Sequence, residues 1–449
     1  MINGKTIATI LAVSSTATAW TSLSPTNNNK INIHNNNILQ SRRPVISARN
    51  AATRHLYGSN IVLGPSEDDR AAFDSLKVGS AKVHRYSVDT DPDSNTEYVM
   101  WYHGRCHELD ADKSLPPLST GRIGRATSKN GLHWKKDTEG NDSEDIEGVS
   151  LGLNKESWWG FDTEHCGLGS VLLPMSTPAV MMEGGIYLKY FFGGSGQECP
   201  IVNYLEDPPE SMADAKIKGM KMRIGVAVSQ DGISWGRVEG DDPTGACIVP
   251  YDPNDPTQDV LEGIEEELYV GWPEVVVSLG AERAFSMYYS TMLKEGKQKA
   301  IARAESTDGF RWTKTGVCLR PDADGMDAGG CARCCVLRDA EFDGQNWKEL
   351  DSFTMYYEGV SKQDNKHRIM KATSANGKDF TKVGLVFDIG ADGEWDCEGV
   401  GSPDIIRLDD GSLRMYYTGQ GKGGATAIGI AALSESNEWV REQAALTFA

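Results

Sequence analysis

The sequence predicts an all-β fold, specifically a five-bladed β-propeller of four-stranded antiparallel blades. Two observations lead to this prediction. A strand-and-turn pattern recurs five times between about residue 74 and the C-terminus, and an aromatic strand lies upstream of each copy. The spacing of the copies leaves room for one four-stranded sheet per repeat, which is the organisation of a propeller.

The recurring pattern is a strand that meets a tight turn and resumes with an aromatic residue. Four copies carry Asp-Gly or Asn-Gly at the turn, which tolerates positive φ, and the fifth keeps only Ser436-Asn437. We predict that the turn residues are structural and that the following tryptophans pack between blades. The copies span 122–134, 223–235, 300–312, 368–380 and 428–439, and the tryptophans are Trp134, Trp235, Trp312 and Trp439.

An acidic residue recurs at the entry to four of the predicted first strands. A position that several blades share is more often structural than catalytic, because every blade needs it. We therefore predict that these acids tie the strand entry to a neighbouring turn. They are Asp74, Glu266, Asp327 and Asp396.

The N-terminus reads as a targeting segment. Lys5 precedes a short apolar run, Ala17-Thr18-Ala19 offers small residues for cleavage, and an acid-free tract rich in Ser, Thr and Asn follows. We predict a signal peptide at 1–19, a transit-peptide-like or disordered segment at 20–55 and the propeller domain at 56–449. This order resembles the bipartite presequences of algal plastids, and a plain secretory signal is the alternative.

The amino-acid composition limits the classes of partner that the protein can bind. The formal net charge is −19, although residues 1–66 contain no acidic residue. So acidic a body disfavours nucleic acid and anionic membrane surfaces. No other apolar stretch is long enough to cross a membrane, so we predict no membrane insertion. The nine cysteines are scattered, and Cys331-Ala-Arg-Cys334-Cys335 has no second ligand pair, so we predict buried thiols, no metal and no cofactor.

Residues that differ between blades at one aligned position are candidates for function. Aligning the first strands makes one set of residues equivalent: Lys82, Ala179, Glu274, Cys335 and Asp404. Two positions earlier the equivalent residues are Ser80, Thr177, Trp272, Arg333 and Ser402. Glu274 and Asp404 are the leading carboxylates, and Glu398 is a third candidate.

Two segments resemble a known group of proteins. Gly271-Trp272-Pro273-Glu274-Val275 is one, and Gly401-Ser402-Pro403-Asp404-Ile405, followed by Asp410-Gly411 and Met415-Tyr416-Tyr417, is the other. They resemble the five-bladed glycoside hydrolases of the arabinanase, levansucrase and invertase superfamily. The resemblance implies carboxylates around one end of a central channel, acting as acid, base or nucleophile on a glycosidic bond.

On this reading Glu274, Asp404 and Glu398 are the candidate catalytic residues. Trp272 offers a stacking face for a sugar, and Arg333 holds a hydroxyl or lowers the pKa of a neighbouring acid. His103 and Arg105 follow the first aromatic strand and lie at the channel mouth or in a connecting loop. The expected partner is a carbohydrate, and the sequence does not give the oligomeric state.

The alternative is a propeller without catalysis. Glycosidases of this superfamily carry an Asp on the first innermost strand, where this chain has Ser80-Ala81. The carboxylates would then form a salt-bridge ring that lines the channel, and the protein would bind a sugar or a protein partner in the plastid. A pair of carboxyl groups about 5–10 Å apart across a water-filled pocket would favour catalysis.

Overall fold

The computed structural model describes residues 60–86, 96–106, 120–139, 146–175, 185–279 and 283–443. These ranges hold β-strands and short 3-10 turns, with no α-helix, so the predicted all-β class is confirmed. Within them no helix is long and apolar enough to cross a membrane. The predicted targeting segments 1–19 and 20–55 lie outside the described residues.

Strand pairing divides the described strands into five successive four-stranded antiparallel units. The strands in chain order are β1 (Ile61–Leu63), β2 (Lys77–Tyr86), β3 (Glu97–Arg105), β4 (Arg122–Ser128), β5 (Lys135–Lys136), β6 (Val149–Leu151), β7 (His165–Met175), β8 (Ile186–Gly194), β9 (Cys199–Pro200), β10 (Lys216–Ile217), β11 (Arg223–Ser229), β12 (Gly236–Val238), β13 (Glu267–Leu279), β14 (Arg283–Leu293), β15 (Lys299–Ser306), β16 (Thr313–Leu319), β17 (Gly330–Phe342), β18 (Trp347–Val360), β19 (His367–Ser374), β20 (Thr381–Phe387), β21 (Gly399–Arg407), β22 (Leu413–Gln420), β23 (Thr426–Leu433) and β24 (Trp439–Arg441).

The five units are β2–β5, β7-β8-β11-β12, β13–β16, β17–β20 and β21–β24, and they are called the first to the fifth unit. Strand β6 adds to β4, β9 and β10 form a separate hairpin, and one parallel pairing joins β19 to β21. The first strands of successive units pack side by side, and β21 packs against β2. The first strands therefore close a ring around a central channel, which is the propeller arrangement.

The chain closes the ring a second time with its N-terminal strand. Strand β1 pairs antiparallel with β23 of the fifth unit. Asn60 anchors this strand: its Nδ2 donates to the Tyr417 hydroxyl and to the Ile430 carbonyl, and its Oδ1 accepts from Trp395 Nε1. Leu63 is buried beside the first and fifth units. The first described strand of the chain therefore belongs to the last unit of the fold.

The repeated turns have the structural role that the sequence predicts. In each of four turns the Ser hydroxyl accepts from the glycine N–H, and the Asp or Asn side chain accepts from the two backbone N–H groups that follow. The glycines have positive φ, between 68° and 83°, which favours glycine. The glycines are Gly131, Gly232, Gly309 and Gly377.

The aromatic residue after each turn packs against the preceding unit, as predicted. Each ring meets an aromatic ring of the neighbouring second strand edge-on, at centroid distances from 5.7 to 6.2 Å. In four cases the same neighbour also donates a hydrogen bond to the carbonyl of the turn glycine. The pairs are Trp134–Tyr416, Trp235–Trp101, Trp312–Tyr190, Phe380–Tyr288 and Trp439–Tyr356. The first of them joins the fifth unit to the first.

A buried acid ties the first strand of each unit to its outer strands. Asp74 accepts from the Tyr102 hydroxyl at 2.9 Å and pairs with Lys136 at 2.6 Å. Equivalent arrangements are Asp327 with Tyr357 and Lys382, and Asp396 with Tyr417 and Arg441. The structural role predicted for these three acids is therefore confirmed.

The third unit corrects one residue of that prediction. Glu267, not Glu266, accepts from Tyr289 and pairs with Lys314. Glu266 is partly exposed and pairs with Lys294 instead. The sequence could not separate two adjacent glutamates, whereas the strand pairing turns only one of them inward. In the second unit Asp162 pairs with Arg237 at 2.7 Å and takes the same place.

Candidate active site

A β-bulge interrupts the first strand of every unit at the same level of the channel. Four residues at these bulges have positive φ although they are not glycine: Ser80, Trp272, Arg333 and Ser402, at 45–49°. Such backbone costs about 1–3 kcal/mol per residue, and it concentrates at functional sites. The repeated strain directs attention to this level of the channel.

The second unit corrects the sequence alignment. Thr177 and Ala179 lie outside the described residues, and the first strand of this unit is β7. Its bulge lies between Leu168 and Ser170, with Ser170 opposite Tyr190. The sequence analysis aligned Thr177 and Ala179 with Trp272 and Glu274 of the third unit and with Ser402 and Asp404 of the fifth. The pairing register depends on the neighbouring strand instead, and it places Leu168 and Ser170 at the two aligned positions.

The aligned residues of the five first strands form a belt around the channel: Lys82, Ser170, Glu274, Cys335 and Asp404. Lys82 Nζ donates to Glu274 Oε2 at 2.7 Å and to Asp404 Oδ1 at 3.0 Å. The three side chains are only 10–13% exposed. Lys82 therefore lies between Glu274 and Asp404, the two leading carboxylates of the sequence analysis.

Belt residues also bind the backbone of the next unit. Asp404 Oδ2 accepts from the Val83 N–H at 2.8 Å, Glu274 Oε1 from the Val336 N–H at 3.4 Å, and the Ser170 hydroxyl from the Val275 N–H at 3.2 Å. Each acceptor occupies the same strand position, and each donor follows that position in the next unit. Glu274 and Asp404 therefore accept the same backbone hydrogen bond that a serine accepts elsewhere in the ring, which favours a structural role for the two carboxylates.

Charge balance within the belt explains the protonation of its members. Burial alone would lower the pKa of Lys82, but the charges of Asp404 and Glu274 raise it well above its usual value. Burial raises the pKa of Glu274, and Lys82 opposes that shift. The lysine thus stays charged and bridges the two carboxyl groups, at the place where a substrate would have to enter between them.

The end of the channel where the first strands begin is called the mouth. A stack of four side chains from four units forms its floor. The Arg333 guanidinium lies 4.8 Å from the Trp272 ring centroid, Trp272 lies 4.4 Å from Phe192, and Phe192 stacks on His103 at 6.4 Å. A narrow pocket between Ser80, Trp272, Arg333 and Ser402 leads from this floor to Glu274. Trp272, Arg333 and His103 therefore meet at one end of the channel, and the mouth is one of the two locations that the sequence left open for His103.

Glu358 is the buried carboxylate of the mouth, and the sequence analysis missed it. Its Oε1 accepts from Arg333 Nη1 at 3.1 Å and lies 2.6 Å from His367 Nδ1, while its Oε2 accepts from the Ser402 N–H at 3.0 Å. The charges of Arg333 and His367 outweigh the effect of burial and lower the pKa of Glu358 to about 2. Glu358 is therefore ionised throughout the physiological range.

The signal for Glu358 was present in the second strands. His103, Phe192, Ser290, Glu358 and Thr418 occupy one aligned position of β3, β8, β14, β18 and β22. The comparison between blades was applied to the first strands alone. Applied to the second strands, it would have selected Glu358 together with His103.

A cationic cluster lies beside the stack and consists of Lys77, His103, Arg105, Arg122 and His165. All five side chains are buried. Arg105 Nε donates to His103 Nε2 at 3.2 Å. Burial, with the charge of Arg105, lowers the pKa of His103 well below its usual value, and burial with the charges of Arg105 and Arg122 lowers the pKa of His165 to about 4. Arg105 is thus at the mouth, one of the two locations predicted for it.

Glu398 lies at the rim of the mouth. It directly precedes β21, its side chain is about a third exposed, and its Oε1 is 3.6 Å from Lys366 Nζ. His367, which contacts Glu358, pairs with Gly399 next to Glu398. Glu398 is therefore next to the residue that pairs with His367, the partner of Glu358.

Within the described ranges no group of three or more His, Cys, Asp or Glu side chains could hold a metal ion. Cys331, Cys334 and Cys335 are buried free thiols, as predicted. Burial, with the neighbouring acids Asp327 and Glu274 respectively, raises the pKa of Cys331 and Cys334 well above their usual value. These thiols therefore remain protonated and pack as small apolar groups.

Several solved structures that are similar to this chain are described as glycoside hydrolases. One, described as a glycoside hydrolase, has a TM-score of 0.53 at 16% identity and covers 90% of this chain and 99% of its own. Another comes from the GH130 family of mannoside phosphorylases, described as containing glycoside hydrolases that target β-1,2 mannosidic linkages in Candida mannan; its TM-score is 0.51 at 13% identity, with coverage of 86% and 94%.

A third is sucrose-6-phosphate hydrolase from Lactobacillus gasseri, with a TM-score of 0.51 at 12% identity and coverage of 88% and 65%. No protein-family model and no curated protein matches the sequence. Identities this low establish the fold alone. The chain is an all-β propeller that shares its fold with glycoside hydrolases.

Proposed function

We propose that this protein is a carbohydrate-active enzyme that hydrolyses or transfers a glycosidic bond at the mouth of the channel. The observation that carries the proposal is Glu358, a buried carboxylate that Arg333 and His367 hold ionised beside the Trp272 ring. Removing a carboxylate from water costs several kcal/mol, about 3–5 when its partner is lost. Such a charge is typical of sites where a developing positive charge must be stabilised.

In this proposal each group has a separate task. The Trp272 ring gives an apolar face to the sugar, and the hydroxyl groups of Ser80 and Ser402, 3.3 Å apart, contact its hydroxyl groups. Glu358 remains ionised and acts as base or stabilises the oxocarbenium-like transition state. Glu398, which is more exposed and directly precedes β21, supplies the proton to the leaving oxygen.

Glu274 and Asp404 remain predicted catalytic residues that the same experiment tests. Both carboxyl groups contact the same Lys82 ammonium group, so they lie at one place in the channel, as a pair of catalytic carboxylates must. However, the lysine fills the space between them, and each carboxylate already accepts a backbone hydrogen bond. These contacts support Glu358 and Glu398 over Glu274 and Asp404.

A substrate screen with the full chain tests the proposal. Aryl glycosides and oligosaccharides of arabinose, xylose, fructose, mannose and glucose are incubated with the wild type, Glu358→Gln, Glu398→Gln and Glu274→Gln. We expect cleavage that falls at least 100-fold in Glu358→Gln. The matched control is Glu349→Gln, an exposed residue paired with Arg338 on the outer part of the fourth unit. If Glu274→Gln alone abolished cleavage, the catalytic residues would have to be assigned to the belt instead.

A second candidate is a propeller that binds carbohydrate without cleaving it. The bridging of Glu274 and Asp404 by Lys82 favours this candidate, because it leaves no free pair of carboxylates in the belt. Calorimetric titration with the same oligosaccharides separates the two functions. Saturable binding that Trp272→Ala weakens, with no turnover of any bound sugar by the folded protein, would establish the second candidate.

We also propose a plastid location, on the composition of residues 1–59 alone. A fusion of these residues to a fluorescent protein tests it in an alga with complex plastids. Fluorescence inside the plastid supports a bipartite presequence. Fluorescence in the medium would instead establish the secretory alternative.

A further inference from the structure

The second unit has a pocket of its own, which lies apart from the channel mouth and is called the second-unit pocket. Its volume is about 350 Å³, and it is bounded by the segment before β7, by β8, β11 and β12, and by the loop after β12. None of the side chains named at the mouth lines it. The volume is near the lower end of the range of small-molecule sites, about 300–1,000 Å³, so the pocket can hold a small ligand.

The buried acid of this pocket, Asp162, lacks a hydrogen bond that its counterparts in the other units have. In those four units the acid pairs with a lysine or arginine and also accepts from a tyrosine hydroxyl on the second strand. The tyrosines are Tyr102, Tyr289, Tyr357 and Tyr417. The pairing of β8 with β7 and β11 places Phe191 at the same position, so the second unit has no hydroxyl group there.

One oxygen of Asp162 is consequently left without a donor. Oδ2 accepts from Arg237 Nε at 2.7 Å, whereas Oδ1 is buried and has no hydrogen-bond partner among the described residues. Asp396 Oδ1 is in the same condition, but Asp396 accepts from both Tyr417 and Arg441 through its other oxygen. Native structures rarely keep a buried carboxylate oxygen unpaired, so an unpaired oxygen on a residue that lines a pocket indicates that a ligand supplies the missing donor.

Aromatic rings form one wall of the pocket and its entrance. Phe161 stacks on Phe191 at a centroid distance of 5.5 Å inside the pocket. Trp159 is 50% exposed at the entrance, and its neighbour Trp158, which is 86% exposed, meets it edge-on at 5.8 Å. Exposed tryptophan rings beside a pocket are typical of surfaces that bind a ligand with an apolar face.

The charges of the lining favour a neutral ligand. Three acids of the loop after β12 line the pocket beside Asp162, and Arg237 is the one basic residue among the described residues that line it. These acids are Glu239, Asp241 and Asp242. Such an excess of negative charge repels anions. Within the described ranges no three acids, histidines or cysteines converge so as to hold a metal ion, so the lining does not form a metal site either.

We propose that the second-unit pocket binds a neutral sugar, one hydroxyl group of which donates to Asp162 Oδ1 where the other units have a tyrosine hydroxyl. Arg237 already balances the charge of Asp162, so the second oxygen needs a hydrogen-bond donor rather than another cation. The face of the Trp159 ring packs on the C–H groups of the sugar ring. The site is independent of the proposed reaction at the mouth and involves no bond breaking.

Calorimetric titration of the full chain tests the inference. The ligands are glucose, mannose, galactose, fructose and sucrose, with glucuronate as an anionic comparison. We expect saturable binding of at least one neutral sugar, and binding of glucuronate at least tenfold weaker than that of the tightest neutral sugar, because of the acidic lining. No saturable binding of any neutral sugar by the folded wild type overturns the inference, and so does binding of glucuronate that is as tight.

Two tryptophan variants locate the binding. Trp159→Ala should weaken it at least tenfold, and the fold tolerates this change because the ring is half exposed. Trp272→Ala is the matched control at the mouth and should leave binding at the second-unit pocket unchanged. Where the mouth also binds sugar, the wild type shows two sites and each variant loses one of them. Binding that depends on Trp272 and not on Trp159 belongs to the mouth alone and overturns the inference.

The variant Phe191→Tyr restores to the second unit the hydroxyl group that the other four units have. Because that hydroxyl occupies Asp162 Oδ1, we expect a higher melting temperature and sugar binding at least tenfold weaker than in the wild type. The matched control is the reverse change in the first unit, Tyr102→Phe, which removes the bond to Asp74 and should lower the melting temperature without changing sugar binding. A folded Phe191→Tyr that binds sugar as tightly as the wild type overturns the inference. If Phe191→Tyr does not fold, the result with Trp159→Ala decides.

The outcome is separable from that of the proposed reaction. Trp159 and Phe191 lie outside the mouth, so their variants should cleave glycosides at the wild-type rate. Glu358→Gln should bind sugar at the second-unit pocket as tightly as the wild type. Sugar binding that needs Trp159, without cleavage of any glycoside, contradicts the proposed enzyme and supports the inference. Cleavage that Glu358→Gln abolishes, without binding at the second-unit pocket, does the reverse.

Discussion

Lys82 is the residue on which the belt depends. Its ammonium group separates two carboxylates that would otherwise face each other in a poorly hydrated channel. We predict that Lys82→Met lowers the free energy of unfolding by about 3–5 kcal/mol at pH 7, since it leaves buried charge without a partner. Urea denaturation followed by tryptophan fluorescence measures this loss.

The pH dependence of that variant has a defined sign. Without Lys82 the effect of burial on Glu274 is unopposed, so the folded-state pKa of this carboxyl group lies further above its unfolded value of about 4.3. Groups with a raised folded pKa favour the folded state below the unfolded pKa and lose that effect as pH rises. The deficit of Lys82→Met should therefore be small near pH 4 and grow towards pH 7. An equal deficit at both pH values would contradict the assigned ion triad.

Glu358 predicts the opposite pH dependence. Its pKa is lowered to about 2, so its ion pairs stabilise the fold above about pH 4.5 and are lost as pH falls towards 2. The full effect is on the order of 3 kcal/mol. Between pH 5 and pH 3 the wild type should lose more stability than Glu358→Gln. Parallel denaturation curves for the two proteins over this range would show that the carboxylate is not held as described.

Comparison between units found the residues of the mouth where the side chains differ in kind. Trp272 and Arg333 were identified because the first and fifth units have a serine at the same aligned position. The backbone there does not need a large side chain. Lys82, Glu274 and Asp404 were visible as residues of one aligned position, and a salt-bridge ring along the channel was the alternative for them. That Lys82 itself would bridge the two carboxylates was not visible, because side chains of separate units meet only when the ring closes. A pattern in the sequence does not give the distances between side chains on opposite sides of the ring.

At the scale of elements, β1 has an effect out of proportion to its three residues. Chains that begin at Asn60 keep the anchor to Tyr417 and Trp395, whereas chains that begin at Gly64 lose the strand and the buried Leu63 side chain. We predict equal melting temperatures for the full chain and the chain from Asn60. The chain from Gly64 should lose at least about 2 kcal/mol, the value of one buried leucine.

The measurement is a thermal melt of the three chains side by side. If the chain from Gly64 were as stable as the longer two, the pairing of β1 with β23 would contribute nothing to closure.

The elements themselves were largely predictable, because turn chemistry and aromatic spacing are local. The four turns with Asp-Gly or Asn-Gly and the second strands lie where the sequence indicated. The first strand of the second unit was misplaced by about nine residues. There the sequence has Leu168-Gly169-Ser170 in place of the X-Pro-acid pattern of the third and fifth units. The register of β7 is determined by its pairing with β8. Such pairing joins residues that are distant in the sequence, so a local pattern could not predict it.

The stability of the whole ring depends on whether the contact between the fifth and first units is as strong as the contacts between the other neighbouring units. The Tyr416 hydroxyl donates to the Gly131 carbonyl across this closing contact at 2.9 Å, and the Tyr190 hydroxyl makes the same bond to Gly309 between the second and third units at 2.8 Å. Both are buried. They are chemically identical bonds, one between neighbours in sequence and one between the two ends of the propeller.

We predict that Tyr416→Phe and Tyr190→Phe each lower the free energy of unfolding by about 1–3 kcal/mol, because each leaves a buried carbonyl without its donor. The two sites are in separate interfaces, so the double variant should show the sum of the single losses. Urea denaturation of the four proteins measures these values. If Tyr416→Phe cost nothing while Tyr190→Phe cost the expected amount, the ring would be open at its closing contact. The mouth, which takes residues from both sides of that contact, would then lack a fixed geometry.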